Sequence, residues 1–159
     1  MIEKEAKIET SEGLMGTFIC HPEEGGPHPV VFFYMDAPGK REELHDMARR
    51  IATTGYYVVL PNLYYRTTDH FELDFATGDN TDEMFRLMSG IGNKMVVRDS
   101  EAMIEFVETE QNADEQKIGC IGYCCFKSCT FCYYCCTICS CCAWYSYVTL
   151  VFSDDHPIC

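Results

Sequence analysis

The sequence predicts an α/β fold in which an antiparallel hairpin precedes a parallel sheet flanked by helices. Continuous apolar runs at 29–34, 56–60 and 118–122 are typical of strands that are buried on both faces of a parallel sheet. Segments with apolar residues at three- and four-residue spacing separate these runs, as expected for helices that cover the sheet. Strands that alternate with helices in this order indicate a parallel sheet.

Each element has a signal of its own. Strands are predicted at 4–10 and 14–20, joined by a Ser-Glu-Gly turn, and at 29–34, 56–60 and 118–122. Helices are predicted at 41–54, where Gly55 ends the periodic pattern, at 81–88 and at 94–109. Asp114 and Glu115 are expected in the turn before the last strand. Four histidines are expected to be solvated or to cap helices, namely His21, His28, His45 and His70.

Length and charge limit the classes of function. A chain of 159 residues suits a single domain with a sizeable core. Twelve Lys and Arg residues against 25 Asp and Glu give a net charge of −13. Nucleic acids and anionic membranes bind basic faces, so neither is expected as a partner. The charged start of the chain lacks the apolar run of a secretory signal, so a cytoplasmic location is expected.

Residues 125–159 differ from the rest of the chain. Ten of the 12 cysteines lie between Cys120 and Cys142, and no charged residue occurs between Ser128 and Ser153. The C-x-x-C spacing leaves open a non-catalytic, Cys-rich metal-binding or redox module as the alternative function. Interleaved aromatic residues and the lack of Gly or Pro turns argue against a metal site. The uncharged run is long enough to span a membrane, but Ser, Thr, Tyr and Cys dilute its apolarity.

Four segments carry a resemblance to a known family. They are YMDAPG at 34–39, MARRIA at 47–52, GYYVVLPNLYYR at 55–66 and IGCIGYC at 118–124. In this order and spacing they resemble the dienelactone hydrolase family of α/β-hydrolases. The resemblance implies a partial α/β-hydrolase fold that is truncated after the nucleophile strand. It also implies hydrolysis of a small-molecule ester or lactone by a Cys, Asp and His triad, with no cofactor and no metal.

The resemblance assigns catalytic roles by position. Cys124 matches the family nucleophile, which stands on a sharp turn from strand to helix. The N–H of Cys125 would form half of the oxyanion hole, and backbone near Asp36 and Ala37 would form the other half. Asp36 matches a family acidic residue beside the thiol. Its carboxylate would hold the thiol neutral until substrate displaces it.

Two arginines are candidates for binding a substrate carboxylate. Arg66 follows a predicted strand, and Arg86 lies on the predicted short helix. A guanidinium group binds a carboxylate through two parallel hydrogen bonds. The alternative for each is a surface arginine with no ligand. The run Lys40-Arg41-Glu42-Glu43 is interpreted as the solvated start of a helix.

The sequence departs from the family pattern after Cys124. Phe126 and Lys127 stand where the family has small residues at the tight turn. The late candidates for the Asp and His of the triad are adjacent in sequence, namely Asp154, Asp155 and His156. We therefore expect this chain to be inactive or weak. Residues 1–124 are predicted to form the N-terminal part of a hydrolase domain. Residues 125–159 are predicted to be an aberrant tail packed on the same domain, with a frameshift as the hypothesis for its origin.

Overall fold

A computed structural model describes residues 1–122 of the chain. The strands in this part are β1 (Ile2–Thr10), β2 (Gly13–His21), β3 (His28–Tyr34), β4 (Tyr57–Pro61) and β5 (Ala113–Gly122). The helices are α1 (Glu42–Ala52), α2 (Thr81–Ser89) and α3 (Asn93–Val107). The predicted tail at 125–159, with its cysteine cluster and its uncharged run, lies outside the described residues.

The strands form one mixed sheet in the order β1-β2-β4-β3-β5. β3 pairs in parallel with β4 on one side and with β5 on the other. β2 pairs antiparallel with both β1 and β4, so the hairpin extends the parallel part of the sheet at one edge. The predicted α/β class and the predicted hairpin are confirmed.

Helices cover both faces of the sheet. The register of the strands puts Phe18 of β2 and Tyr34 of β3 on opposite faces. The His45 ring of α1 stacks on Phe18 with 4.2 Å between ring centroids. The Ser100 hydroxyl of α3 lies 2.7 Å from the Tyr34 hydroxyl. The core is therefore divided into two layers, one between the sheet and α1 and the other between the sheet and α3. Within residues 1–122 no helix combines the length and apolarity that a bilayer-spanning segment needs.

The sequence of α1 explains both its orientation and its burial. Leu44, Ala48 and Ala52 recur every four residues and are buried against the sheet. Acidic residues occupy the first turn of the helix and basic residues occupy the last turn. This arrangement suits the partial charges at the two ends of the helix.

The last strand begins earlier than its apolar run indicates. β5 starts at Ala113, so Asp114 and Glu115 lie inside the strand and not in the predicted turn. The register with β3 shifts between Pro29 and Val30, where the pairing jumps from Asp114 to Ile118. This irregularity accommodates charged residues, which the sequence pattern assigned to a turn.

The prediction that His21 and His28 are solvated is wrong. His21 ends β2 and is 3% exposed, and His28 begins β3 and is 6% exposed. The His21 ring stacks on Tyr57 at 4.9 Å, and the two imidazole centroids are 6.1 Å apart. Strand ends from distant parts of the chain cover these rings, which sequence spacing does not reveal. His70, by contrast, is exposed as expected.

Candidate active site

The carboxyl ends of the parallel strands meet at one edge of the sheet. Tyr34, the last residue of β3, pairs with Gly122, the last residue of β5. Neighbouring strands lie about 4.8 Å apart, so the chain leaves both strands at adjacent points. Asp36 follows Tyr34 by two residues, as Cys124 follows Gly122 in the sequence. Cys124 and Cys125 themselves lie outside the described residues.

Residues 36–39, hereafter the β3 turn, have every backbone carbonyl hydrogen-bonded. The donors come from three different parts of the chain. The bonds are Gly39 N–H to Asp36 O at 3.1 Å, Tyr64 O–H to Ala37 O at 2.8 Å, Leu73 N–H to Pro38 O at 3.0 Å and Arg41 Nη1 to Gly39 O at 3.0 Å. Because each peptide group of the turn is held, its N–H groups have a defined direction.

The Ala37 N–H is a donor that residues 1–122 leave available in this turn. Ala37 is 6% exposed, yet no residue within 1–122 accepts a hydrogen bond from its N–H. A buried backbone N–H without a partner is rare in proteins, because it loses its hydrogen bonds to water. An N–H after the strand next to the nucleophile strand is a typical oxyanion donor of α/β-hydrolases. The Ala37 N–H is therefore a donor of the β3 turn that can bind a ligand oxygen.

Pro38 and Gly39 determine the local shape of the turn. The ring of Pro38 disfavours helical backbone at Ala37, which precedes it. Gly39 has a φ of +98°, a conformation that side-chain-bearing residues rarely adopt. A Cβ at Gly39 would also collide with the carbonyl of Phe71, from the segment between β4 and α2. Only glycine allows that segment to pack so closely on the turn.

Asp36 forms an ion pair with Arg41. Two guanidinium nitrogens of Arg41 lie 2.5 and 3.1 Å from the two carboxylate oxygens of Asp36. The Arg41 side chain is only 10% exposed and also lies over the Phe75 ring, at 5.4 Å from its centroid. The interpretation of residues 40–43 as a solvated helix start is therefore wrong for Arg41. The carboxylate that was predicted to hold the Cys124 thiol neutral therefore already has a cationic partner.

Arg66 is engaged by two carboxylates of the protein. Its terminal nitrogens lie 2.9 and 2.7 Å from the two oxygens of Asp99, which is 1% exposed. The third guanidinium nitrogen donates to Glu12 at 2.8 Å. The Tyr65 hydroxyl also donates to Asp99, at 2.9 Å. A substrate carboxylate would have to displace Asp99 or Glu12 to reach Arg66, so the predicted substrate contact competes with a buried ion pair.

Arg86 lies on the exposed side of α2. Its side chain is 60% exposed and pairs with Glu83 one turn earlier in the same helix. Such a pair between residues three apart is a typical surface feature of helices. Of the two arginines predicted to bind substrate, neither contacts the β3 turn among the described residues.

Sequence reasoning missed three residues that shape this edge of the sheet. Arg41 was assigned to solvent, and Tyr64 and Asp99 were given no role. Their partners are Asp36, Ala37 and Arg66 respectively. An available signal was the short separation between Asp36 and Arg41 across a Pro-Gly turn. Tyr64 and Asp99 contact partners 27 and 33 residues away, and no spacing rule predicts such contacts.

The described part of the chain contains no cluster of metal-ligand side chains. Within residues 1–122 no group of three or more His, Cys, Asp or Glu side chains is arranged to hold a metal ion. The tail cysteines on which the alternative function depends lie beyond those residues.

Comparison with known proteins identifies the family. The sequence model of the dienelactone hydrolase family matches residues 15–139. This match covers more than three quarters of the chain. The chain belongs to the dienelactone hydrolase family. The match begins in β2 and continues 15 residues past Cys124.

This chain matches only part of the length of its relatives in the family. A Methylorubrum extorquens protein, assigned provisionally as a carboxymethylenebutenolidase, is 29% identical over 125 residues, which are 78% of this chain and 41% of that protein. A Synechocystis protein with the same provisional assignment is 26% identical over 107 residues, which are 67% of this chain and 43% of that protein. The chain thus spans about two fifths of the length of these curated relatives.

A solved structure gives the same result for the fold. A provisionally assigned dienelactone hydrolase from Klebsiella pneumoniae superimposes with a TM-score of 0.65 and 26% identity. The match covers 77% of this chain and 50% of that one. As a member of the dienelactone hydrolase family, this chain has a partial α/β-hydrolase fold. Its β3 turn and the end of β5 lie where such folds carry their active sites, at the carboxyl ends of the strands.

Proposed function

We propose that this chain supplies the cysteine nucleophile and the oxyanion-binding turn of an ester or lactone hydrolase. The thiolate sulfur of Cys124 forms a bond to the carbonyl carbon of the substrate. The N–H groups of Ala37 and Cys125 bind the oxyanion that develops. The carbon–oxygen bond then breaks to leave a thioester, and the departing alkoxide takes a proton from solvent. Water hydrolyses the thioester and releases the acid.

The Ala37 N–H, for which residues 1–122 provide no acceptor, is the observation that carries this proposal. A buried donor has a free-energy cost of about 1–3 kcal/mol when it has no partner. Here every carbonyl of the same turn is satisfied, so the turn is ordered, while no residue within 1–122 accepts from the Ala37 N–H. Tyr34 pairs with Gly122, and Cys124 follows Gly122 by two residues in the sequence, which supports a nucleophile near this donor. A nucleophile and an oxyanion donor on adjacent strands suit acyl transfer.

We further propose that turnover by the 159-residue chain is slow. After Cys124 its acid and base candidates are Asp154, Asp155 and His156, and because they are consecutive we do not expect a relay in which Asp orients His. A cysteine without a base remains a few per cent thiolate at pH 7, so it is still acylated. The loss of the base costs on the order of 10³-fold in rate. Acylation should therefore precede a much slower release of the acid.

Reaction with p-nitrophenyl acetate tests the proposal directly. We expect a burst of p-nitrophenolate close to one equivalent, followed by slow release, with the acetyl group on the peptide that contains Cys124. Cys124→Ala should remove the burst, and Cys124→Ser should greatly weaken it. Acetyl groups spread evenly over several cysteines, or an unchanged burst in Cys124→Ala, would show that Cys124 is not the nucleophile.

A further inference from the structure

Tyr64 is a buried residue that contacts the oxyanion-binding turn directly. It follows β4 by three residues, and 2% of its surface is exposed. Its hydroxyl donates a hydrogen bond to the carbonyl oxygen of Ala37 at 2.8 Å. The two residues are 27 positions apart, so this bond ties the end of β4 to the end of β3.

The surroundings of Tyr64 hold its ring in one place. The side chain of Asn62, 3% exposed, accepts a hydrogen bond from the Tyr64 backbone N–H at 3.0 Å. The Asn62 amide also donates to the carbonyls of Thr68 and Asp69, at 3.0 and 3.1 Å. The segment after β4 is thereby closed on itself around the tyrosine. The Phe71 ring then packs edge-on against Tyr64, with 5.8 Å between centroids.

The Tyr64 hydroxyl holds the peptide group that follows the Ala37 N–H. The carbonyl on one side of Ala37, that of Asp36, is held by the Gly39 N–H. The carbonyl on the other side, that of Ala37 itself, is held by the tyrosine. With both flanking peptide groups held, the backbone dihedral angles of Ala37 have little freedom. Without the tyrosine hydroxyl, the carbonyl of Ala37 loses its donor and the backbone dihedral angles of Ala37 gain freedom. The Asp36–Ala37 peptide, which carries the N–H, is then held within residues 1–122 by the Gly39 N–H alone.

We infer that Tyr64 is a positioning residue for the oxyanion hole of this chain. The inference rests on the proposed function, because it assigns Tyr64 to the donor that would bind the oxyanion. A positioned donor stabilises charge that appears only in the transition state of acyl transfer. Tyr64 therefore accelerates attack on a carbonyl carbon. It has no comparable effect on attack by the same sulfur at a saturated carbon, where no oxyanion forms.

Two reactions of one sulfur separate this role from a merely structural one. Acylation of Cys124 by p-nitrophenyl acetate passes through an oxyanion, whereas alkylation by iodoacetamide displaces iodide without forming one. We expect Tyr64→Phe to slow acylation about tenfold, which is less than the complete loss of an oxyanion donor. Its alkylation rate should stay within about twofold of that of the unmodified protein. Peptide mapping assigns both reactions to Cys124.

Tyr65→Phe is the matched control. Tyr65 is the next residue, is 8% exposed, and also loses a buried hydroxyl in this variant. Its hydroxyl contacts Thr10 and Asp99 and not the β3 turn. Both rates should therefore be preserved in Tyr65→Phe. Equal slowing of acylation in the two variants, or equal slowing of acylation and alkylation in Tyr64→Phe, would overturn the inference.

Failure of the inference is distinguishable from failure of the proposed function. If the unmodified protein is not acylated at Cys124, the proposed function is wrong. If it is acylated and Tyr64→Phe reacts equally fast, only the role of Tyr64 is wrong. Amide hydrogen exchange of the unmodified chain provides a test that needs no variant. Gly39 should be protected to the same degree as β3, and exchange as fast as that of the exposed segment around Asp79 would overturn the inference.

Discussion

The carbonyl oxygen of Phe71 occupies the space that a Cβ on Gly39 would need. This contact joins the segment after β4 to the β3 turn at a distance that only glycine permits. It acts together with the Leu73 N–H, which donates to Pro38 O at 3.0 Å. The turn that carries the proposed oxyanion donor is therefore shaped by a segment more than 30 residues away in sequence.

Gly39→Ala should destabilise the protein more than glycine conformation alone explains. Gly55 is the matched control, because its φ of +102° is close to that of Gly39 but its Cβ position is open. We expect Gly55→Ala to cost about 1 kcal/mol and Gly39→Ala to cost about 2–4 kcal/mol in free energy of unfolding. Urea denaturation measures both values. Equal costs would show that the Phe71 contact relaxes freely.

Loss of the Asp99 carboxylate charge should lower the free energy of unfolding more than loss of a surface charge does. Asp99→Asn leaves the Arg66 guanidinium, 13% exposed, without its buried partner. Loss of one member of a buried pair costs about 3–5 kcal/mol. Glu83→Gln, which breaks the exposed pair with Arg86, should cost less than about 0.5 kcal/mol. Thermal and urea unfolding of the two variants provide the comparison, and similar values for both would contradict it.

The stability of the protein should fall in acid partly through Glu110. Burial raises the pKa of this carboxyl, but hydrogen bonds from Lys4 at 2.6 Å and Tyr57 at 2.8 Å outweigh burial and leave the pKa lowered. A lowered folded-state pKa adds stability above the ordinary glutamate value of 4.5, and the added stability is lost as pH falls through the lower folded value. Denaturation at a series of pH values from neutral to acid should show this loss.

Glu110→Gln isolates the contribution of that carboxyl. The variant should be less stable at neutral pH and should have a flatter pH dependence below pH 4.5 than the unmodified protein. Glu101→Gln, an exposed position on α3, should leave the profile unchanged. Parallel profiles for the unmodified protein and Glu110→Gln would mean that other carboxyls account for the acid sensitivity.

Cys20 should be inert toward alkylation in the native protein. It is fully buried in β2, and burial, together with the Glu3 carboxylate, raises the pKa of its thiol to about 12. At pH 8 its thiolate fraction is lower than that of an ordinary cysteine by a factor on the order of 10³. Iodoacetamide should label Cys20 in urea and not in buffer, as read by peptide mapping. Native labelling at the rate of an exposed thiol would contradict its burial.

The Asp36–Arg41 pair should set the reactivity of the proposed nucleophile. In Arg41→Gln the Asp36 carboxylate loses its cationic partner. Under the proposed function, an unpaired carboxylate near the nucleophile disfavours its thiolate form. Alkylation of Cys124 at pH 7 should therefore slow several-fold, while the rate at high pH is unchanged. Arg50→Gln, at the opposite end of α1, is the control. If the alkylation rate has the same pH dependence in Arg41→Gln as in the unmodified protein, the Asp36–Arg41 pair does not influence the thiol.

The secondary structure was predictable because its signals are local. Apolar runs bounded by turn residues placed β3 and β4 within about one residue of their observed bounds, and the four-residue spacing of Leu44, Ala48 and Ala52 placed α1. β5 was predicted too short, because Asp114 and Glu115 lack the apolar signal of a strand. Their pairing depends on the register with β3, which a single segment does not encode.

The sequence by itself determined the α/β class, the hairpin and the resemblance to the dienelactone hydrolase family, and from that resemblance Cys124 is proposed as the nucleophile. Only the tertiary structure decided which polar groups meet at the strand ends. Examples are the hydrogen bonds from Tyr64 to Ala37, from Arg41 to Asp36 and from Arg66 to Asp99. Periodicity follows from the repeat of one element, whereas these contacts depend on how separate elements pack. For that reason composition and spacing predict the scaffold but not the hydrogen bonds that orient the site.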